Sequence, residues 1–201
     1  MSRNLFEYRH KPAMFTDSWE TAQNWTVLWN AEATRVQTDP FSGSWCVKMR
    51  DNLADKPAGL SRDNIWPNLD PFELTFAMKL ATPTGSEAPM QQVYFYNREH
   101  TRVAFIIGQY VSGLLFHWGA GGATSFYSGS INTWYLWRVQ INFRTGTFTI
   151  WLYDRDGNLL IKVSDIAFAN LTVIETTAHM LLYSPIANTG TYYWDAVEVD
   201  P

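Results

Sequence analysis

The chain has 201 residues, of which 46% are hydrophobic, 16% aromatic and only 17% charged. This composition is typical of a folded globular protein and excludes disordered, collagen-like and coiled-coil chains. A chain of this length buries roughly 70% of its unfolded surface, so we expect one domain over residues 1–201 that needs no metal or disulfide. Cys46 is the only cysteine, and the net charge is −4 with scattered basic residues, so we expect no disulfide and no nucleic-acid partner.

The sequence contains no apolar run near the ~20 residues that a membrane span requires. Residues 1–7 also lack the apolar region of a secretory signal. We therefore expect no membrane insertion and no signal peptide. These features favour synthesis in a cytoplasm, with a virion-surface or extracellular destination reached by assembly or lysis.

Alternation of apolar and polar residues dominates the chain, and no window of 12 or more residues keeps a helical period. This pattern predicts an all-β protein with minimal helix. About a dozen strands are expected, in chain order: Leu5 to Tyr8, Thr26 to Trp29, Trp45 to Met49, Phe72 to Leu80, Gln91 to Asn97, Arg102 to Gln109, Gly113 to Trp118, Thr124 to Tyr127, Trp134 to Phe143, Thr147 to Tyr153, Leu159 to Val163, His179 to Ser184 and Tyr192 to Val199.

Two short connections predict an antiparallel meander from Trp134 to Val163. Arg144-Thr145-Gly146 supplies a tight turn before Thr147, and the segment from Asp154 to Asn158, which contains Gly157, supplies another before Leu159. In each turn the glycine can take the positive φ that a tight reversal requires.

The alternation also predicts which side chains face the core. Trp137, Val139 and Ile141 share an apolar face that needs a second sheet packed on it, which predicts an antiparallel β-sandwich. In the strand beginning at Gln91, Val93, Phe95 and Asn97 should point inward. The outward-facing side chains of these strands are Gln92, Tyr94, Tyr96, Arg98, Arg138, Gln140, Asn142, Thr149, Trp151 and Tyr153.

Several segments, taken in order and spacing, resemble the concanavalin A-like lectin/glucanase superfamily. They are the segment from Ser42 to Met49 that follows Trp19 and Trp25, and the segments Phe72 to Lys79, Trp137 to Phe143, Gly146 to Tyr153 and Tyr192 to Val199. The resemblance implies a jelly roll of two curved antiparallel sheets. Because this fold carries lectins, hydrolases, lyases, binding modules and structural domains, function must be argued from a site.

The sequence argues against catalysis. Retaining glycoside hydrolysis needs two carboxyl groups ~5 Å apart, which this fold supplies from a Glu-x-Asp-x-Glu strand, and the chain has no such run. Its carboxylates spaced by two are Asp154 with Asp156 in a predicted turn, and Glu198 with Asp200. Lyases of this fold use Arg, Gln, His and Tyr, but the sequence around Arg138, Gln140, Tyr153 and His117 does not match their signatures. A polysaccharide hydrolase or lyase is therefore only a third interpretation.

The sequence predicts no zinc site and no required cofactor, because His10, His100, His117 and His179 are far apart without other ligands at zinc spacing. The resemblance implies one metal, a structural calcium near the aspartate of the closing strand. Asp195 has that position, and Asp17 or Glu7 with carbonyls near Gly43 would complete the oxygen ligands. The alternative is that Asp195 only accepts hydrogen bonds from nearby backbone.

The outward aromatic and amide side chains carry the functional hypothesis. Sugar rings pack on Tyr or Trp, while their hydroxyls need amide, guanidinium or carboxylate partners. Tyr, Trp and Arg also anchor protein interfaces, so the same face fits either a glycan or another subunit. The predicted ligand-binding residues are Tyr94, Tyr96, Arg98, Arg138, Gln140, Asn142, Trp151 and Tyr153.

We therefore expect a non-catalytic, surface-displayed glycan-binding or adhesion domain. Without a secretion signal, the simplest setting is a phage virion, as a head-decoration or tail-associated protein. The alternative is a structural capsid or fibre assembly protein of the same fold that binds no sugar.

Overall fold

A computed structural model describes residues 15–17, 25–29, 31–51, 58–66, 70–85, 89–96, 103–170, 178–184 and 188–200. In these ranges the regular structure is β-strand, and they contain no helix. The strands are β1 (Phe15–Asp17), β2 (Thr26–Trp29), β3 (Glu32–Val36), β4 (Cys46–Asp51), β5 (Ala58–Trp66), β6 (Phe72–Leu80), β7 (Thr84–Gly85), β8 (Pro89–Tyr96), β9 (Val103–Tyr110), β10 (Leu114–Gly119), β11 (Gly122–Ser128), β12 (Tyr135–Asn142), β13 (Thr147–Tyr153), β14 (Leu159–Ala167), β15 (Ala178–Ser184) and β16 (Asn188–Asp200).

The strands form two antiparallel sheets, which confirms the predicted jelly-roll sandwich. Sheet A has the order β14-β13-β12-β6-β16-β4-β3, with β1 and β7 also paired to β16, and sheet B has the order β11-β10-β9-β8-β15-β5-β2. Phe15 lies opposite Val199, so an N-terminal strand neighbours the closing strand. The segment predicted for that place, Leu5 to Tyr8, lies outside the described residues. No helix among these residues is long and apolar enough to cross a membrane.

The predicted meander is confirmed as β12, β13 and β14. Arg138 lies opposite Trp151, and Trp151 lies opposite Lys162. Gly146 and Gly157 have φ of 66° and 84°, a left-handed conformation that glycine adopts without steric penalty. The local turn chemistry therefore determines the register of this part of sheet A.

Besides the short β1 and β7, two longer described strands were not expected from the sequence. β5 runs from Ala58 to Trp66 through Ser61, Arg62 and Asp63, and these consecutive polar residues hide the alternation. β3 has no fully buried side chain, because it is the last strand in the order of sheet A and is only partly covered. Neither strand carries the strong apolar period on which strand prediction depends.

An aromatic stack joins the two sheets through the core. Phe105 of sheet B lies with its ring centroid 4.3 Å from that of Phe95 in the same sheet, and 4.0 Å from that of Phe148 in sheet A. Phe168 closes the stack 5.5 Å from Phe105. All four side chains are buried. Because near-parallel rings at these separations pack their full faces, the stack contributes strongly to the cohesion of the sandwich.

His117 of β10 is a buried titratable group in this core. Its side chain stacks on Phe126 and meets the edge of Phe148, at centroid distances of 5.9 and 6.1 Å. Within the described structure its Nδ1 has no hydrogen-bond partner. Burial lowers the pKa of His117, because the charged imidazolium loses hydration there.

We expect His117 to make the fold sensitive to acid. The unfolded state binds a proton near the ordinary histidine pKa of about 6.5, whereas the folded state binds it only at lower pH, so stability falls as pH drops below that value. The loss can reach about 1.4 kcal/mol per pH unit for one group. Urea unfolding at neutral and acid pH should therefore show that acidification lowers the free energy of unfolding less in His117→Phe than in the wild type. An equal decrease in the two proteins would show that His117 has the same pKa in the folded and unfolded states.

Candidate functional site

The predicted ligand-binding residues do not form one surface, and that part of the prediction is wrong. Tyr94 and Tyr96 lie on β8 of sheet B, on the side opposite to the buried Val93 and Phe95. The other set lies on β12 and β13 and faces outward from sheet A: Arg138, Gln140, Asn142, Trp151 and Tyr153. Outer faces of two stacked sheets lie on opposite sides of a sandwich, so one small ligand cannot contact both sets. Arg98 lies outside the described residues.

On sheet A, Trp151 lies between two cations. The guanidinium of Arg138 and the ammonium of Lys162 are each 5.0 Å from the centroid of the indole ring. The two residues lie on the strands that flank β13, so they approach the ring from opposite sides. A sugar ring that stacked on this indole would have to displace a favourable cation–π contact.

Three of the other predicted residues of this face, Arg138, Asn142 and Tyr153, already have intramolecular roles. Arg138 forms a 2.6 Å ion pair with Glu73 and a hydrogen bond with Tyr153, and the bond to Glu73 is the main reason that the pKa of Arg138 is raised. The side-chain oxygen of Asn142 accepts hydrogen bonds from the backbone N–H groups of Arg144 and Thr145, which shapes the following turn. Gln140 is exposed.

Residues 37–45 cover another part of the outer face of sheet A. The carboxylate of Asp39 accepts hydrogen bonds from Lys79 Nζ at 2.8 Å and from Arg155 Nη1 at 2.6 Å. The indole N–H of Trp134 donates to the Asp39 carbonyl at 2.9 Å. Beneath this segment a second hydrophobic cluster is buried: Cys46, Ala77, Trp134, Leu136 and Tyr193. The chain therefore shields much of this face itself.

Asp195 faces the same covered region. One oxygen of its buried carboxylate accepts a 2.8 Å hydrogen bond from the backbone N–H of Ser42, and the other accepts one from the N–H of Ala196 at 2.7 Å. Among the described residues, no three His, Cys, Asp or Glu side chains are close enough together to hold a metal ion. Glu7 and the side chain of Asp17 lie outside the described structure, so the calcium site stays a prediction.

On sheet B, three tyrosines from two neighbouring strands form what we call the tyrosine cluster: Tyr94, Tyr96 and Tyr183. The rings of Tyr94 and Tyr96 are nearly parallel, with centroids 5.7 Å apart. The ring of Tyr183, from β15, meets that of Tyr94 edge to face at 5.0 Å. Tyr183 was missed in the sequence because nothing local indicates that β15 pairs with β8, which places Tyr183 opposite Gln92.

The tyrosine cluster lies among side chains that are shielded from solvent. Its neighbours on the outer face of sheet B are largely shielded from solvent although they point away from the core: Gln92 is 5% exposed, Leu181 4%, Ser61 7% and Phe116 2%. The three tyrosines themselves are half-buried. Part of each tyrosine therefore stays accessible on a face whose neighbouring side chains are shielded.

Burial keeps the phenols of the cluster protonated. It is the main reason that the pKa values of Tyr94, Tyr96 and Tyr183 all lie above the ordinary tyrosine value. Removal of the phenolic proton would leave a charge in a poorly hydrated place. At neutral pH the cluster therefore presents three neutral hydroxyl groups, each able to donate and accept a hydrogen bond.

No protein-family model and no curated protein sequence matches the chain. Solved structures do match its fold. An endo-beta-1,4-glucuronan lyase from the fungus Trichoderma reesei has a TM-score of 0.64 at 13% identity, over 94% of this chain and 95% of the lyase. Peanut lectin has a TM-score of 0.53 at 9% identity, over 92% of this chain and 96% of the lectin.

A sialidase also matches, with a TM-score of 0.64 at 11% identity over 88% of this chain, which spans only 17% of the sialidase. These similarities confirm the concanavalin A-like jelly-roll fold. By their names, these three structures are one lectin and two carbohydrate-active enzymes. At this identity they establish the fold alone, so the activity of this chain has to be argued from its own residues.

Proposed function

We propose that the protein is a non-catalytic glycan-binding domain and that the tyrosine cluster of sheet B is its binding surface. The observation that carries this proposal is the convergence of Tyr94, Tyr96 and Tyr183, from two strands, on the outer face of sheet B. Tyrosine combines a broad apolar ring with a polar hydroxyl. The ring covers the C–H face of a sugar, and the hydroxyl forms hydrogen bonds with the sugar hydroxyls.

The tyrosine cluster suits a sugar better than the face around Trp151. A ligand site combines apolar surface with a few polar groups, as the rings and hydroxyls of the tyrosine cluster do. The indole of Trp151 instead has cations on both sides, and much of the surrounding face of sheet A is covered by residues 37–45. A sugar that stacked on Trp151 would therefore have to displace a cation–π contact.

Binding is favoured over bond cleavage by the protonation of the cluster. An efficient general base has a pKa near the working pH, whereas the pKa values of these tyrosines are raised by burial. The acidic pairs noted in the sequence are also elsewhere. Asp154 accepts backbone hydrogen bonds from Asp156 and Asn158 in a turn, and Glu198 and Asp200 lie on sheet A.

The second candidate function is structural assembly through the outer face of sheet A. Arg138 and Trp151 are residue types that anchor protein interfaces, and both stay partly accessible. In that case Trp151→Ala should block incorporation into a larger particle. A phage virion, with surface display after assembly, remains our prediction for the setting of either function.

Substitution within the tyrosine cluster should test the main proposal. We expect Tyr94→Ala and Tyr183→Ala each to weaken glycan binding at least about tenfold, because truncating a central aromatic anchor removes most of its contact. Trp151→Ala, on the opposite sheet, is the matched control and should bind like the wild type. Binding can be located first on a glycan array and then measured by titration calorimetry, with circular dichroism to check the fold.

Two results would contradict the proposal. One is unchanged affinity in both tyrosine variants with loss in Trp151→Ala, which would place the site on sheet A. The other is the absence of binding to every glycan on the array by the folded wild-type protein.

A further inference from the structure

Residues 37–45, which we call the strap, lie over the outer face of sheet A without forming a strand. Each residue of the strap keeps partial or full exposure to solvent. The second hydrophobic cluster beneath it, which contains Trp134 and Tyr193, is buried. The strap is therefore a cover over an apolar surface and adds little to the core between the two sheets.

Three charged side chains, which we call the latch, hold the first half of the strap. The guanidinium of Arg155 donates to two neighbouring strap residues, from Nη1 to the Asp39 carboxylate at 2.6 Å and from Nη2 to the Pro40 carbonyl at 2.7 Å. Lys79 Nζ donates to the other oxygen of the Asp39 carboxylate at 2.8 Å. Asp39 therefore ties the strap both to β6 and to the turn between β13 and β14.

The two cations of the latch differ in their exposure. The side chain of Lys79 is 6% exposed, and its ammonium lies 4.4 Å from the ring centroid of Tyr193 and 5.3 Å from that of Trp134. The side chain of Arg155 is 48% exposed. With the strap closed, the Asp39 carboxylate balances a shielded ammonium, whereas in an open strap water can hydrate it. Removal of the Asp39 charge therefore destabilises the closed form more than the open one.

The second half of the strap is held by one hydrogen bond and one ring contact. The backbone N–H of Ser42 donates to the Asp195 carboxylate at 2.8 Å, and the ring of Phe41 meets that of Trp134 edge to face at 5.9 Å. Water can replace the polar contacts when the strap lifts. The core between the sheets lies on the inner side of sheet A and keeps its packing. A segment attached in this way opens at a lower free energy than the whole domain.

We propose that the strap opens as a unit while the sandwich stays folded, and that the latch controls access to the aromatic surface of Trp134 and Tyr193. In the closed form these side chains are only 2% and 9% exposed. An external ligand or subunit that contacts the two rings binds the open form alone, so its affinity is reduced by the fraction of molecules that are open. The strap is thus a regulatory cover on sheet A, independent of glycan binding at the tyrosine cluster on the opposite sheet.

Cys46 makes strap opening measurable, because it is the only cysteine and its buried side chain belongs to the cluster under the strap. Its Sγ lies 3.8 Å from the Thr38 carbonyl oxygen. Burial raises the pKa of the Cys46 thiol to about 12, so at neutral pH the closed form has almost no reactive thiolate. Labelling of the folded protein by iodoacetamide, followed by mass spectrometry, therefore reports opening.

We expect the wild type to be labelled through local opening. Urea below the unfolding transition should raise the logarithm of the labelling rate with a slope less than about half of that expected for global unfolding, because lifting the strap exposes little surface. A slope equal to the global one would mean that Cys46 becomes reactive only when the whole domain unfolds. Labelling as fast as in the unfolded protein would mean that the strap does not close. Either result would overturn the proposal.

Asp39→Asn tests the latch and should raise the labelling rate about fivefold or more, beyond any change in global stability measured by urea unfolding. Asparagine tolerates the left-handed φ of 51° at this position, so the substitution removes the charge without straining the backbone. Asp70→Asn is the matched control. It removes an exposed carboxylate that binds Arg144 at the opposite end of the meander, and it should be labelled at the wild-type rate.

A second pair of variants keeps the test available if Asp39→Asn does not fold. Arg155→Gln removes the other charged partner of the strap, and Arg144→Gln makes the same change at the ion pair with Asp70. Faster labelling in Arg155→Gln alone supports the latch. Wild-type labelling in both latch variants, or an equal increase in a latch variant and its control, would show that the latch does not control opening.

Discussion

Phe105→Ala is expected to lower the free energy of unfolding by about 3–5 kcal/mol, the usual cost of truncating a buried phenylalanine. Phe105 is fully buried and stacks on Phe95 and Phe148 at 4.3 and 4.0 Å. Its removal leaves a cavity between the two sheets, and both ring partners lose contacts that no neighbour can replace without backbone movement. Denaturant unfolding followed by fluorescence or circular dichroism measures the loss.

Leu159→Ala is the matched control for this core substitution. It also deletes apolar side-chain atoms, but Leu159 is 54% exposed at the start of β14. Substitutions at such surface positions usually change stability by no more than about 0.5 kcal/mol. Similar losses in the two variants would mean that the aromatic stack is not the cohesive element between the sheets.

Asp195→Ala is the second substitution with a large expected effect. The buried carboxylate accepts hydrogen bonds from the backbone N–H groups of Ser42 and Ala196. Each donor left without an acceptor costs about 1–3 kcal/mol, and the bond to Ser42 also holds residues 37–45 against sheet A. Asp195→Asn keeps one acceptor oxygen and should therefore lose less. Thermal or urea unfolding should rank the stability of the three proteins, with the wild type highest, Asp195→Asn next and Asp195→Ala lowest.

The same variants decide whether Asp195 also binds calcium. If it does, excess chelator should lower the melting temperature of the wild type, because a ligand bound only by the folded state stabilises it. Asp195→Ala should then be insensitive to chelator. A wild-type melting curve unchanged by chelator would leave Asp195 as a hydrogen-bond acceptor alone. If the Asp195→Ala variant is as stable as the wild type, Asp195 acts neither as a stabilising hydrogen-bond acceptor nor as a calcium ligand.

The alternation along single strands was sufficient to predict much of the fold. It gave the inward positions of Val93 and Phe95, and of Trp137 and Val139, all of which are fully buried. The turns around Gly146 and Gly157 were also predictable, because a positive φ there is a local requirement of the chain. The fold class followed, since two sets of apolar strand faces must cover each other.

The site depended on pairings that no local pattern contains. Alternation identifies the outward side chains of a strand but not the sheet to which that strand belongs, so Tyr94 and Trp151 were joined in one predicted surface although they lie on opposite sides. Tyr183 meets Tyr94 only because β15 inserts between β8 and β5. The cations beside Trp151 and the bond from Ser42 to Asp195 likewise come from strand order and a folded-back segment. The sequence by itself determined most of the strands, their faces and the tight turns, because these depend on neighbouring residues, whereas only long-range packing decided which faces meet and which groups they bring together.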